Sequence, residues 1–133
     1  MNLLDPIIPN RDLHNMQILA IAHIGDGVYE LMTRTHLCLQ GASTAKNLHN
    51  KSVKQVNAKT QAAAARELQD ILNEEESDIF RRGKNAKSAV PKNVSIEDYK
   101  LATALEALFG YLYLSGNIHR LNELMNIIGG MNA

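Results

Sequence analysis

Two carboxylates stand where helical core sequence should hold none. In "IAHIGDGVYELM", residues 21–32, Asp26 lies between Gly25 and Gly27 inside an apolar run. In "LATALEALFGYLYL", residues 101–114, Glu106 alone interrupts a helix that is apolar almost all round. Each interior glycine costs a helix about 1 kcal/mol relative to alanine. An unpaired buried carboxylate costs more, or keeps its proton. Thr103, Glu106, Gly110 and Tyr113 fall on one helical stripe, so Glu106, like Asp26, has a glycine at hand. Glycines let helix backbones approach closely, and the simplest arrangement crosses the two helices there, with both acids at the crossing. Facing carboxylates repel unless one takes a proton or both share a cation. Mg²⁺, which needs only one or two protein carboxylates and fills its sphere with water, is the natural compensation. The alternative pairs Asp26 with Arg34 or a histidine, and Glu106 with Lys100 or Arg120.

The elements that must position these acids read as helices throughout. No segment sustains strand alternation, and the class is all-α. A first helix is expected from about Arg11 to Gln40, ended by Gly41. Ser43 or Thr44 is placed to cap a short helix through Leu48, and Asn50 a long one through Leu72. Asn73 with Glu76 reads as a capping box opening a helix that stops at Gly83. Residues 83–94 read as a loop. Ser95 with Asp98 starts another helix, which ends at Gly116. A last one runs from Ile118 to Ile128 with Gly129 at its C-terminal cap. Leu121, Leu124, Met125 and Ile128 form an apolar stripe suited to core or dimer contact.

The chain of 133 residues is 45% apolar and 21% charged, which suits one globular domain. Its 14 basic and 14 acidic residues cancel, but their distribution does not. Residues 31–66 contain no acid and carry Arg34, Lys46, Lys51, Lys54, Lys59 and Arg66, and "RRGKNAKSAVPK", residues 81–92, is a second basic block. Patches rather than totals meet phosphates. The single Cys38 permits no internal disulfide and reads as a small buried residue in a reducing, cytoplasmic setting. No signal peptide or membrane span is legible. His23, His36 and His49 are spaced too widely for a zinc cluster, and no cysteine pair joins them.

At these residues the sequence resembles a known family. "LAIAHIGDGVYELM" is similar to the signature helix of ribonuclease III, and Glu106, Ala107, Gly110, Tyr113 and Leu114 match its second catalytic helix. The resemblance is closer to the compact Mini-III branch, through "VNAKTQA" at 56–62 and "EEE…FRRGKNAK" at 74–87. It extends over about residues 12–125. It implies one helical catalytic domain over residues 1–133, without an appended double-stranded-RNA-binding domain. It also implies a Mg²⁺-dependent endonuclease that cuts double-stranded RNA as a homodimer, with the large-subunit (23S) ribosomal RNA precursor as substrate. A ribosomal protein that shapes that RNA is a further expected partner. Asp26 and Glu106 would be the catalytic, metal-holding acids. Full-size members carry two further acids, at positions occupied here by Ala22 and Thr103, so the site is leaner. That loss supports a rival reading, a non-catalytic helical RNA-binding module.

For the enzyme, a bound dication would polarise a phosphate oxygen and activate water, while RNA is held by shape and backbone. Arg81 and Arg82 suit bidentate phosphate contacts. Lys84 and Lys87 add charge, Asn85 can reach a sugar or base edge, and Gly83 would let the backbone come close to RNA.

Overall fold

The computed structural model describes residues 1–41 and 44–131. Among these it contains helices and turns but no strand. The order is α1 (Asn10–His14), α2 (Ile18–Leu39), α3 (Ala45–Gln55), α4 (Ala58–Leu68) with a 3-10 turn over Gln69–Ile71, α5 (Glu74–Lys84), α6 (Ile96–Leu114) and α7 (Ile118–Met131). The all-α expectation holds.

Helix α6 is the hub. It packs against α2, α4, α5 and α7, and Leu105, Leu108, Phe109 and Leu112 are fully buried. A helix apolar on every side must be surrounded, and this one is. Its N-cap is Ser95, whose hydroxyl accepts from the Asp98 N–H. Its end is a Schellman turn: Gly116 sits at φ 77°, and the Asn117 N–H donates to the Leu112 carbonyl at 2.8 Å.

Several boundaries differ from expectation. The first helix breaks in two, with Asn15 to Gln17 between α1 and α2. Thr44 caps α3, its side chain accepting from Asn47 N–H, but that helix runs through Asn50 to Gln55. The cap of the next helix is Asn57. Its carbonyl accepts from Thr60 N–H at 2.9 Å, and its amide donates to the Lys54 carbonyl, so one side chain joins the end of α3 to the start of α4. Ser43, the other cap considered, lies outside the described residues. Helix α5 includes Gly83 and ends one residue later, while α7 passes through Gly129 to Met131. The Asn73–Glu76 capping box is present with both hydrogen bonds. Leu121, Leu124 and Ile128 are core, with Met125 packed against them. Cys38 is exposed, not buried, because it lies on the open side of the last turns of α2.

Candidate active site

The α2–α6 crossing is made at glycines. A Cβ on Gly25 would overlap the Glu106 carbonyl oxygen, and one on Gly110 would overlap that of Ile21 and come within 3.0 Å of the Gly25 nitrogen. The two backbones therefore touch reciprocally, and no residue larger than glycine fits either position without displacing main chain. Gly27 is different: a Cβ there would meet nothing within 4 Å, so its small size keeps the surface beside Asp26 open rather than serving the crossing. One turn on, Tyr29 and Phe109 meet edge to face, with ring centroids 5.5 Å apart and an interplanar angle of 69°. This pair clamps the crossing on its buried side.

The crossing delivers Asp26 and Glu106 to one place. Asp26 stands close enough to Glu106 for its hydrogen-bonding oxygen and its charge to act on that carboxyl. Burial first, then the hydrogen bond and negative charge of Asp26, push the Glu106 carboxyl up to about 8, against a weaker opposing effect of the Gln61 amide. Asp26 is exposed and Glu106 partly so, so the pair opens to solvent.

The competing ion pairs do not form. Arg34 pairs with Glu30 and Arg120 with Glu76. Neither Asp26 nor Glu106 has a Lys, Arg or His ion pair among the described residues. His23 is exposed. No group of three or more His, Cys, Asp or Glu side chains gathers to hold a metal ion among the described residues. Ala22 and Thr103 are both buried one turn before the acids, and the Thr103 hydroxyl donates to the Tyr99 carbonyl. What the site offers is two carboxyl side chains, one exposed and one partly exposed.

Sequence reasoning gave no individual role to Gln61, which lies on α4 with only 5% of its surface exposed. Its Nε2 has no hydrogen-bond partner, yet the amide is close enough to Glu106 to favour the ionised carboxylate. The signal was present: Gln61 is the one polar member of a buried stripe continued by Ala64, Ala65 and Leu68.

The basic segment takes a form other than the expected loop. Arg81, Arg82 and Lys84 belong to the last turn of α5, and Asn85 is its C-cap. Only Lys87 lies beyond, exposed. Arg81 pairs with Asp78, and Lys84 lies 3.6 Å from Glu97, whereas Arg82 and Lys87 have no ion pair among the described residues. Gly83 is buried and does not approach solvent. A Cβ there would lie 2.8 Å from that of Ala107 and 3.1 Å from the Thr103 carbonyl oxygen. Its smallness therefore seats the last turn of α5 on α6 at Thr103 to Ala107, the stretch that carries Glu106.

A bundle whose central helix and signature helix cross under two converging acids is the architecture of a ribonuclease III catalytic domain, and the model of that domain ("Ribonuclease III domain") matches residues 19–117. The chain is 44% identical over 120 residues to the Mini-ribonuclease 3 of Clostridium tetani, covering 89% of this chain and 80% of that one. It is 46% identical over 110 residues to that of Thermoanaerobacter sp., covering 82% and 78%. The crystal structure of a Fusobacterium nucleatum protein superposes with a TM-score of 0.83 at 31% identity, covering 92% of this chain and 98% of the other. The chain belongs to the ribonuclease III family, in its Mini-ribonuclease 3 branch, and is an endoribonuclease.

Proposed function

We infer that this chain cuts double-stranded RNA in a Mg²⁺-dependent hydrolysis, with the large-subunit (23S) ribosomal RNA precursor as its substrate, in the cytoplasm. The single observation that carries the reading is the meeting of Asp26 and Glu106 with no ion-paired cationic side chain to balance them among the described residues. That donor set fits a hard dication: two carboxylate ligands, with the remaining positions left to water and phosphate oxygens. Asp26 and Glu106 would hold it. When bound, the ion supplies Lewis-acid polarisation of a phosphate oxygen and activation of water.

The remaining steps fall to the chain. The glycine crossing holds the two carboxylates together before substrate arrives, so little reorganisation is needed at the moment of reaction. Glu106, whose carboxyl is pushed up to about 8 by burial and by Asp26, would have to be ionised to serve as a ligand. Arg82 and Lys87, free of carboxylate partners among the described residues, are the readiest phosphate contacts. Arg81 and Lys84 must first leave Asp78 and Glu97, and Asn85 is placed at the turn to reach a sugar or base edge. No described helix is long and apolar enough to cross a membrane, and a helical face with a basic rim suits RNA better than lipid.

The active form is a homodimer in this reading. An apolar groove of about 200 Å³, lined by Leu4, Val28, Leu31, Met32, Tyr113 and Leu121 among others, lies partly on the turns of α2 that follow Asp26. Leu4 and Leu31 are 79% and 60% exposed, apolar side chains that a second copy of the chain would cover. A ribosomal protein that shapes the RNA is a compatible further partner.

The test is direct. Purified protein is incubated with a long RNA duplex and with a large-subunit precursor transcript, in Mg²⁺ and then in EDTA. Metal-dependent shortening is the expected result. Binding without cutting would instead mark a scaffold that holds RNA and no longer hydrolyses it.

A further inference from the structure

The segment "VNAKTQA", residues 56–62, has no part in the function described so far, yet its geometry is built with care. Asn57 caps α4 and ties it to the Lys54 and Val53 carbonyls, and the Thr60 hydroxyl adds a third bond, to Lys54. This fixed first turn delivers Gln61 into the interior between α4 and α6. A buried amide donor with no partner costs about 1–3 kcal/mol, and a methionine of similar size would carry no such penalty. The uncompensated donor belongs to a side chain that acts on the carboxylate of Glu106.

We propose that Gln61 is a positioning residue of the metal site, its Nε2 donating to the Glu106 oxygen that faces away from the cation and so fixing the carboxylate's orientation. A carboxylate that gives one oxygen to a dication keeps the other for a donor, and such outer partners orient the ligands they touch. The donor that is orphaned in the metal-free protein is thereby satisfied when the site is loaded. The amide does not reach the reacting atoms, and its effect passes through Glu106. This rests on the reading of Asp26 and Glu106 as metal ligands, and the experiment separates the two.

Mn²⁺ binding is measured by electron paramagnetic resonance on the whole chain, for wild type, Asp26→Asn and Gln61→Met, with thermal unfolding of each in the metal-free state. Wild type binds and Asp26→Asn does not, if the site is as read. A wild type that does not bind overturns the metal reading and this proposal with it. Gln61→Met is expected to unfold at the same temperature as wild type or higher, and to bind Mn²⁺ about 10- to 100-fold more weakly. In cleavage it should need correspondingly more Mg²⁺ while its KM for RNA at saturating metal stays the same. Wild-type Mn²⁺ affinity in Gln61→Met, with or without a lower unfolding temperature, reduces Gln61 to a packing residue and overturns the proposal. Should Gln61→Met not fold, the side-chain amide signal of Gln61 in ¹⁵N-labelled wild type decides: a downfield shift on adding Mg²⁺ supports the bond, and an unmoved signal overturns it.

Discussion

Two glutamates in this fold meet opposite fates. Glu76 is almost wholly buried, and every oxygen it has is answered. Arg120 grips it with Nε at 2.8 Å and a second nitrogen at 2.9 Å, and the Asn73 N–H donates at 3.0 Å. Burial alone would push its carboxyl up, but the Arg120 bond, the Asn73 bond and the Arg120 charge outweigh that and lower it. Glu106 is less sealed from solvent, yet its carboxyl is pushed up to about 8, by burial first and then by the hydrogen bond and charge of Asp26, with no cation beside it to reverse the effect as Arg120 does for Glu76. One carboxylate is finished by the fold, and the other faces an acid with no ion pair among the described residues. The difference separates what holds this protein together from what it works with.

That contrast can be broken from either side. The largest effect is expected from Asp26→Asn, which keeps shape and removes the charge facing Glu106. Cleavage of an RNA duplex should fall by about 10³-fold, while the unfolding temperature of the metal-free protein holds or rises. A variant that cuts at the wild-type rate would remove Asp26 from the site. Arg120→Met should do the reverse. Breaking the buried pair leaves Glu76 uncompensated, at a cost of about 3–5 kcal/mol in stability by denaturant titration, and the Mg²⁺ concentration needed by the surviving folded enzyme stays unchanged.

Acidity sharpens the same comparison. The ordinary value for both side chains is 4.5. Glu106 holds its proton more tightly in the folded state, so its effect on the metal-free protein is a loss of stability as pH rises from about 4.5 to about 8. On the proposal that Mg²⁺ binds the ionised pair, its stabilising increment should grow over that window and level off above it. Glu76 has its value lowered by folding, and its contribution is lost only as pH falls below the ordinary carboxylate range. Thermal melts across pH 4–9, with and without Mg²⁺, test both signs. A Mg²⁺ increment that is flat between pH 5 and 8 would contradict the Glu106 assignment. The smallest effect concerns RNA holding. Arg81→Ala with Arg82→Ala should weaken duplex binding and reduce the slope of log affinity against log salt by about 1 to 2, nearer 1 because Arg81 is already engaged with Asp78. An unchanged slope would take this turn out of the interface.

Much of the site was legible because its signals are local. Glycines and acids at helical spacing foretell the crossing, and Asn73, Ser95 and Gly116 mark helix ends by their own chemistry. What was missed depends on distant partners. Asn50 and Asn57 are the same residue type in similar surroundings, and only the bonds from Asn57 to Lys54 and Thr60 decide which one caps. The Glu76–Arg120 pair spans 44 positions and has no periodic signature. Gly83 reads as a loop residue until α6 is seen against it, and Gly129 as a stop until the helix is seen to continue. Gln61 could have been noticed as a polar residue on an alanine face, but its target could not.

The contact of Gly25 and Gly110 has a consequence for how freely this protein can change. Main chain bears directly on main chain there, so the span between the α-carbons of Asp26 and Glu106 does not depend on how large the surrounding core side chains are. Packing on the flanks presses the two helices against a fixed stop. Leucines and alanines around it can be exchanged over many generations, or by a designer, with the catalytic gauge unaltered.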